Sequence, residues 1–196
     1  MTDTATGAAE ATRRRLTPRQ AVVVERLIEA AADEARDTGY EGTTVRSAAR
    51  RAGVAPATAY TYFASKDHLL AEVLWRRMES LPEAGHDASA GPMDRLAAEL
   101  RVVGLFMADD TRLAAACTTA LLGSGPEVFS LRMRFGAELH RRIAGALGDA
   151  ADPRVLRSLD VAWSGAMLWA GMGHMPFAEV PRTLTDTARL LLDGAR

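Results

Sequence analysis

The stretch from residue 43 to residue 66, TTVRSAARRAGVAPATAYTYFASK, contains the start and stop signals of two short helices joined by a tight turn. Thr43 and Thr44 are candidate caps for the first helix, because a threonine hydroxyl accepts hydrogen bonds from unpaired first-turn N–H groups. Gly53 ends that helix, since glycine adopts a left-handed backbone conformation at little cost. Pro56 suits the first position of the second helix. The pattern predicts a helix-turn-helix with helices Val45–Arg51 and Pro56–Tyr62.

The second of these helices is uncharged and carries small and hydroxyl-bearing side chains, namely Thr58, Tyr60 and Tyr62. Such groups suit base edges, thymine methyl groups and phosphate oxygens. The charged residues between Glu41 and Asp67 are all basic: Arg46, Arg50, Arg51 and Lys66. A local charge of +4 attracts phosphates. The pattern fits DNA binding, and it fits equally well an ordinary solvated face of an all-α protein.

The amino-acid sequence of this stretch resembles that of the N-terminal domain of the TetR family of transcriptional regulators. The matching runs are Thr44-Val45-Arg46, Ala52-Gly53-Val54, Thr58-Ala59-Tyr60-Thr61-Tyr62-Phe63 and Ser65-Lys66-Asp67. The likeness extends back to Thr38-Gly39-Tyr40 and forward through His68-Leu69-Leu70, so that it covers residues 18–80. Beyond that region only length and helical character agree.

The resemblance implies a regulator that binds a double-stranded DNA operator. Thr44 and Arg46 occupy positions where the family contacts the DNA backbone and neighbouring bases, and Lys66 matches its phosphate-binding lysine. The residues that the resemblance assigns to DNA binding are Thr44, Arg46, Pro56, Ala57, Thr58, Tyr60, Tyr62 and Lys66.

The sequence departs from the usual pattern of the family in two ways. Ala55 offers no side-chain acceptor at the cap of the second helix, which weakens capping by about 1 kcal/mol. Small residues also stand where larger ones usually fill the core: Ala35, Ala48 and Ala59.

Helix breakers divide the chain into four predicted parts. Residues 1–17 form a disordered basic N-terminal arm that either touches DNA or serves as a solubilising tail. Residues 18–65 form the helix-turn-helix DNA-binding domain, and residues 66–81 form a connecting helix. Residues 82–196 form a ligand-binding and dimerisation domain, again all helical, because no alternating β pattern competes. We expect an all-α protein of about nine helices.

Large, soft side chains recur in the second domain and predict an adaptable site for an apolar or amphipathic small-molecule effector. The candidate ligand-binding residues are Phe106, Met107, Phe129, Met133, Trp163, Met167 and Trp169. A plain hydrophobic core explains the same pattern. The last two predicted helices, 153–174 and 180–193, are rich in small and aliphatic residues. The resemblance implies that they form a symmetric homodimer interface, although they could instead complete the core of one protomer.

Other functional classes find little support in the sequence. The four histidines form no HExxH motif, and neither a GxSxG nor a phosphate-binding loop occurs, so we expect no catalytic residue, cofactor or metal. The single cysteine, Cys117, excludes an intramolecular disulfide and is expected to be a small buried hydrophobe. Without a signal peptide or an apolar run of about 20 residues, we expect a cytoplasmic protein with no membrane partner. The alternative function is a helical protein-interaction module without sequence-specific DNA binding.

Overall fold

The computed structural model describes residues 16–85 and 89–194. Within those ranges the chain forms nine α-helices, two 3-10 turns and no strand, which confirms the predicted all-α fold. The helices are α1 (Pro18–Gly42), α2 (Val45–Arg51), α3 (Pro56–Tyr62), α4 (Lys66–Glu79), α5 (Pro92–Leu105), α6 (Thr111–Ala120), α7 (Pro126–Leu147), α8 (Pro153–Gly171) and α9 (Val180–Gly194). The 3-10 turns are Gly148–Ala150 and Phe177–Glu179.

Helix α1 begins at Pro18, the first residue of the predicted DNA-binding domain. Its N-cap is Thr17, whose hydroxyl accepts a hydrogen bond from the Gln20 N–H in a capping box. Thr17 therefore belongs to the helix start, and only residues 1–15 of the predicted arm lie outside the described residues. The backbone leaves the helical conformation at Gly39, where φ is 70°, and a further turn ends at Gly42.

The described residues divide into two compact units. The first comprises residues 16–76 and Ala115–Arg134, and the second comprises the described residues of Arg77–Ala114 and of Phe135 onward. The divisions fall inside α4, α6 and α7 and not in loops. The end of α6 and the first turns of α7 therefore belong to the unit that contains the helix-turn-helix, although the sequence assigned them to the second domain.

The core of the first unit is built from one apolar face of α1 and from alanines of α2 and α3. Leu27 and Ala31 are fully buried, and so are Ala35, Ala48 and Ala59, the three positions where the sequence has unusually small residues. Small side chains let the helix backbones approach closely. Ion pairs add to this packing, since the Arg51 side chain on α2 reaches two carboxylates of α1.

In the second unit, α9 packs against α5 and α8. Val180, Leu184 and Ala188 form its buried face. A side chain at Gly104 of α5 would meet the Pro181 ring, with only 2.5 Å between the Cβ position and Cγ, so glycine is needed where the start of α9 crosses α5. Cys117, on α6 in the first unit, is fully buried, as predicted.

Candidate nucleic-acid interface

Helix α2 is fixed at its start by a reciprocal cap. The Thr44 hydroxyl accepts a hydrogen bond from the Ser47 N–H at 2.9 Å, and the Ser47 hydroxyl accepts one from the Thr44 N–H at 3.0 Å. Val45, Ala48 and Ala49 are buried. The opposite face carries the exposed Thr44 and Arg46 side chains, so the cap and the buried face together orient α2.

The turn between α2 and α3 depends on a glycine and on an arginine from α1. Gly53 has a φ of 64°, a conformation that side chains disfavour. The Arg26 guanidinium donates a hydrogen bond to the Ala52 carbonyl, and the Val54 N–H donates one to the Ala49 carbonyl at 2.9 Å. The last carbonyls of α2 are thereby satisfied, and the direction of α3 is set from α1.

Helix α3 exposes nearly all of its side chains. Its N-cap, Ala55, makes no side-chain hydrogen bond, as the sequence predicted. Ala59 is the one fully buried residue of the helix, while Tyr60 is 53% exposed and Tyr62 is half-buried. The other exposed residues are Pro56, Ala57, Thr58 and Thr61. A short helix held by a single buried alanine presents an uncharged surface of methyl, hydroxyl and phenol groups, which suits the edges of base pairs.

The four basic residues of this region differ in their surroundings. Arg46 and Arg50 are exposed and form no ion pair with any other residue in the described ranges. Arg51 is bound to α1, with its Nε 2.9 Å from Glu34 Oε2 and its Nη2 2.5 Å from Asp37 Oδ2. The hydrogen bond to Asp37 raises the pKa of Arg51 further above its ordinary value. The uncompensated charge is therefore smaller than the +4 of the sequence count.

Lys66, at the start of α4, lies over the ring of Tyr40. Its Nζ is 3.8 Å from the ring centroid and donates a hydrogen bond to the Tyr40 carbonyl at 3.1 Å. The Tyr40 hydroxyl donates to Asp67 Oδ1 at 2.6 Å, and this bond raises the pKa of Tyr40 to about 12. The last turn of α1 is thus fastened to the first turn of α4.

His68 anchors the end of α3, a role that sequence reasoning missed. Its Nδ1 accepts a hydrogen bond from the Ala64 N–H at 3.2 Å, and its ring packs edgewise on Phe63 at 5.4 Å between centroids. Burial lowers its pKa below the ordinary histidine value. The Ser65 hydroxyl caps α4 by accepting a hydrogen bond from the His68 N–H at 3.0 Å. The segment between α3 and α4 is therefore closed by three local contacts.

The comparisons with known proteins place this geometry in a family. The model for bacterial regulatory proteins of the tetR family matches residues 27–73. An uncharacterized HTH-type transcriptional regulator of Mycobacterium tuberculosis is 41% identical over 179 residues, which span 90% of this chain and 84% of that protein. The chain belongs to the TetR family. It is a DNA-binding transcriptional regulator and not an enzyme.

One further relative is similar over most of the chain, and two solved structures share its fold. The HTH-type transcriptional repressor KstR of Rhodococcus jostii is 30% identical over 179 residues, covering 88% of this chain and 84% of KstR. A TetR regulator from Rhodococcus sp. RHA1 shares the fold with a TM-score of 0.72 at 21% identity, covering 90% of this chain and 98% of that chain. FadR from Bacillus subtilis, solved with stearoyl-CoA, has a TM-score of 0.62 at 19% identity, covering 84% and 96%.

The predicted effector residues of this TetR-family chain differ in exposure. Met107 and Trp163 are buried, with 2% and 3% of their surface exposed, and Phe106 packs near Phe135 with 6.4 Å between ring centroids. Phe129, Met133 and Trp169 are each more than half exposed. Phe129 and Met133 belong to the first unit and the other five to the second. The three exposed side chains contribute to an apolar site only when a ligand or another chain covers them.

A small cavity in the second unit is polar and does not match the predicted effector site. Its volume is about 140 Å³, below the roughly 300–1,000 Å³ typical of ligand pockets. It is lined by Glu83, Ala84, Glu99, Arg141, Arg142, Gly145 and Ala146. Arg141 binds both Glu138 and Glu83, and the arginine lowers the pKa of Glu138. In the described ranges, no helix has the length and apolarity required to span a bilayer, and no three metal-ligating side chains cluster.

Helix α8 and its C-cap residue, Met172, carry an uncharged stripe of exposed residues along one side. Val161 is 68% exposed, Trp169 58% and Met172 54%, and Gly165 between them is also exposed. The spacing of four, four and three residues keeps all four on one helix face. On α9, Leu190 is 77% exposed. The buried side of α9 is part of the protomer core, as one alternative expected. The exposed residues of α8 and Leu190 are not part of that core.

Proposed function

We propose that this protein is a dimeric repressor that binds a palindromic operator through α3 and is released by an apolar or amphipathic small molecule. The observation that carries the proposal is the exposure of α3. Five of its seven residues face solvent without a charge, and the flanking Arg46 and Arg50 are exposed and unpaired within the described ranges. In this arrangement α3 reads base edges in the major groove, while the arginines bind phosphates.

The exposed apolar surface of α8 and α9 supports dimerisation through these helices. A two-fold axis places the same stripe of Val161, Gly165, Trp169 and Met172 on both protomers, so that it packs against itself. The glycine permits close approach, because no atom lies within 4 Å of its Cβ position. Two copies of α3 then meet successive major grooves. The operator should be an imperfect inverted repeat with half-sites one or more helical turns apart.

Two similar proteins support repression and the release of DNA by an effector. KstR is named a repressor, and the fold neighbour FadR was solved with stearoyl-CoA, a long-chain amphipathic molecule. An effector of that kind fits the large, soft side chains of the chain, among them Phe106, Met107 and Met167. Release requires that the effector bind more tightly to the form that cannot hold DNA. DNA must then weaken effector binding by the same factor.

Selection of bound fragments from the source genome with the purified full-length protein tests DNA recognition. Enrichment of one inverted repeat is expected, with an affinity that falls steeply as salt rises. Tyr60→Ala should reduce the preference for the repeat over a scrambled sequence while leaving the salt dependence nearly unchanged. Binding that is equal for both sequences, or absent, would instead favour the helical interaction module.

The effector proposal is tested with oleate and stearoyl-CoA as probes and tryptophan fluorescence as the readout. Trp75 and Trp163 are buried and Trp169 is exposed, so the three report on different surroundings. A true effector should lower operator affinity and bind less tightly when operator is present. Met167→Ala should weaken effector binding without altering the oligomeric state. Trp163→Ala is a poor test, because removing a buried tryptophan costs about 3–5 kcal/mol of stability.

A further inference from the structure

Lys66 is the only lysine in the chain. All the other residues among the 24 basic side chains are arginines. Its position at the first residue of α4 places an ammonium group beside the helix N-terminus, where a phosphate is also favoured by the unpaired N–H groups. A lysine in this place differs chemically from every other cation of the protein.

The Lys66 ammonium is held by Tyr40 on two sides. Nζ lies over the π face of the ring, 3.8 Å from the ring centroid. One of the three N–H groups of the ammonium donates a hydrogen bond to the Tyr40 carbonyl at 3.1 Å. Glu41 Oε2 is 4.0 Å away on a side chain that is 93% exposed, so water screens this ion pair strongly. The ammonium has donors besides the one that the Tyr40 carbonyl accepts, and 28% of the side chain is exposed.

Tyr40 is itself fixed from α4. Its hydroxyl donates to Asp67 Oδ1 at 2.6 Å, which ties the far end of the ring to the residue that follows Lys66. The carbonyl, the ring and the hydroxyl of one tyrosine therefore contact two consecutive residues of α4. Such a closed set of contacts leaves the lysine few alternative rotamers.

We propose that Tyr40 is a positioning residue that holds the Lys66 ammonium for a DNA phosphate, with Asp67 fixing the tyrosine ring. The inference rests on the proposed DNA-binding function. A free lysine loses rotamer entropy when it is immobilised, and here the fold has already ordered it. The carbonyl accepts from one donor, the ring face attracts the cation, and the exposed side of the ammonium is left for phosphate oxygens.

The arrangement also accounts for a lysine in a chain that otherwise uses arginine. A compact ammonium directs three tetrahedral donors to a carbonyl on one side and a phosphate on the other. A planar guanidinium stacks flat on the ring, and its donors point outward in its own plane, parallel to the ring. Lys66→Arg should keep the charge and the salt dependence of DNA binding but lower the affinity.

Reductive methylation with ¹³C-formaldehyde tests the geometry directly, because it labels only Lys66 and the N-terminal amine and preserves the charge. In the free protein the Lys66 methyl signal should be shifted upfield by the Tyr40 ring. Tyr40→Leu should abolish that shift, whereas Tyr40→Phe should retain it. A signal at the ordinary lysine position in the wild-type protein would overturn the proposal, whatever the outcome of DNA binding.

A double-mutant cycle on operator affinity tests the positioning role. Tyr40→Leu should weaken binding about 5–10-fold in the wild-type background and less than about 2-fold in the Lys66→Ala background, because the tyrosine acts through the lysine. Tyr40→Phe should lose less than Tyr40→Leu, and circular dichroism of each variant checks the fold. Equal losses in both backgrounds would overturn the positioning role. If the wild-type protein binds no DNA, the proposed function fails, while the methyl shift still reports the lysine geometry.

Discussion

The Arg142 guanidinium on α7 and the Glu99 carboxylate on α5 form a buried ion pair. Arg142 Nη1 lies 2.8 Å from Glu99 Oε1, and only 3% and 7% of the two side chains are exposed. Arg142 also donates to the carbonyls of Leu81 and Pro82, at 2.7 and 2.9 Å, and Glu99 Oε2 accepts from the Ala84 N–H at 2.9 Å. The pair fastens the segment after α4 to α5 and α7.

Removing one partner of this pair should strongly destabilise the protein. Glu99→Ala leaves the buried Arg142 charge without its carboxylate, and the expected loss is about 3–5 kcal/mol of unfolding free energy. Urea denaturation measures it. The matched control is Asp33→Ala, which breaks the exposed Arg36–Asp33 pair and should cost less than about 1 kcal/mol. Similar losses for both variants would show that burial does not distinguish the two pairs.

Two arginines of α2 should behave differently when each is replaced by alanine. Arg46 is exposed and unpaired in the described ranges, so Arg46→Ala should flatten the dependence of log affinity on log salt by about one unit. Arg51 is paired with Glu34 and Asp37, so Arg51→Ala should leave that slope unchanged and lower the unfolding midpoint instead. Salt titrations on one operator measure the slope for each variant, and thermal melts measure its unfolding midpoint. An equal change of slope would show that Arg51 also contacts phosphate.

The helices could be predicted from sequence because their ends are determined locally. Thr44, Gly53 and Pro56 act through their own backbone conformation or through a neighbour within a few residues, and α2 and α3 have the predicted bounds. Helix α8 was predicted to reach His174 but ends at Gly171, since the chain turns at Gly173 with a φ of 82°. A glycine within an apolar run does not reveal from sequence whether it continues a helix.

The site was predicted less completely because its electrostatics depend on distant partners. Arg51 and Lys66 both counted as free cations in the sequence, yet Arg51 meets Glu34 across 17 positions and Lys66 meets Tyr40 across 26. No spacing rule indicates such pairs. Composition also did not distinguish buried from exposed residues among the predicted effector residues. It selected both Trp163 and Trp169, but Trp163 is buried and Trp169 is exposed.

Acidification should weaken the anchor of α3 at His68. Burial lowers the pKa of His68, while Glu72 and Glu127 oppose that shift. The unfolded chain therefore takes up a proton at higher pH than the folded protein does. Stability should fall as the pH drops below about 6.5, by up to about 1.4 kcal/mol per unit, until the folded pKa is reached. Urea denaturation from pH 7.5 to 5 measures this.

His68→Asn provides the control for the titration. An asparagine keeps a hydrogen-bond acceptor close to the position of Nδ1 but carries no proton at acid pH. The variant should retain most of the stability at pH 7.5 and lose part of the pH dependence. An identical pH profile for the variant would assign the acid sensitivity to other groups.

The proposed dimer face can be tested without disturbing the protomer. Truncation before Val180 is unsuitable, because it removes the buried Val180, Leu184 and Ala188. Gly165→Glu is better, since nothing lies within 4 Å of its Cβ position, and a buried charge should dissociate the dimer. Light scattering should report a folded monomer. Gly136→Glu on α7, equally open, should remain a dimer. A dimeric Gly165→Glu protein would place the interface elsewhere.

Gly123 follows α6 and touches the first turn of α4. A Cβ there would lie 2.8 Å from Asp67 Oδ2 and 3.1 Å from the Ala120 carbonyl, and the backbone oxygen cannot easily move. Gly123→Ala should therefore cost about 1–3 kcal/mol of stability. Because Asp67 holds Tyr40, the displaced carboxylate should also weaken operator binding, although the substitution lies outside the helix-turn-helix.

Gly125→Ala, in the same segment between α6 and α7, is the matched control for Gly123→Ala. Its Cβ would meet Glu127 Oε2 at 3.5 Å and Val128 Cγ2 at 3.9 Å, which are ordinary contacts. Stability and operator affinity should stay close to wild-type values in this variant. Both proteins are compared by urea denaturation and by operator titration at one salt concentration. If Gly123→Ala lowered stability but left operator affinity unchanged, the contact between Gly123 and Asp67 would have only a structural role.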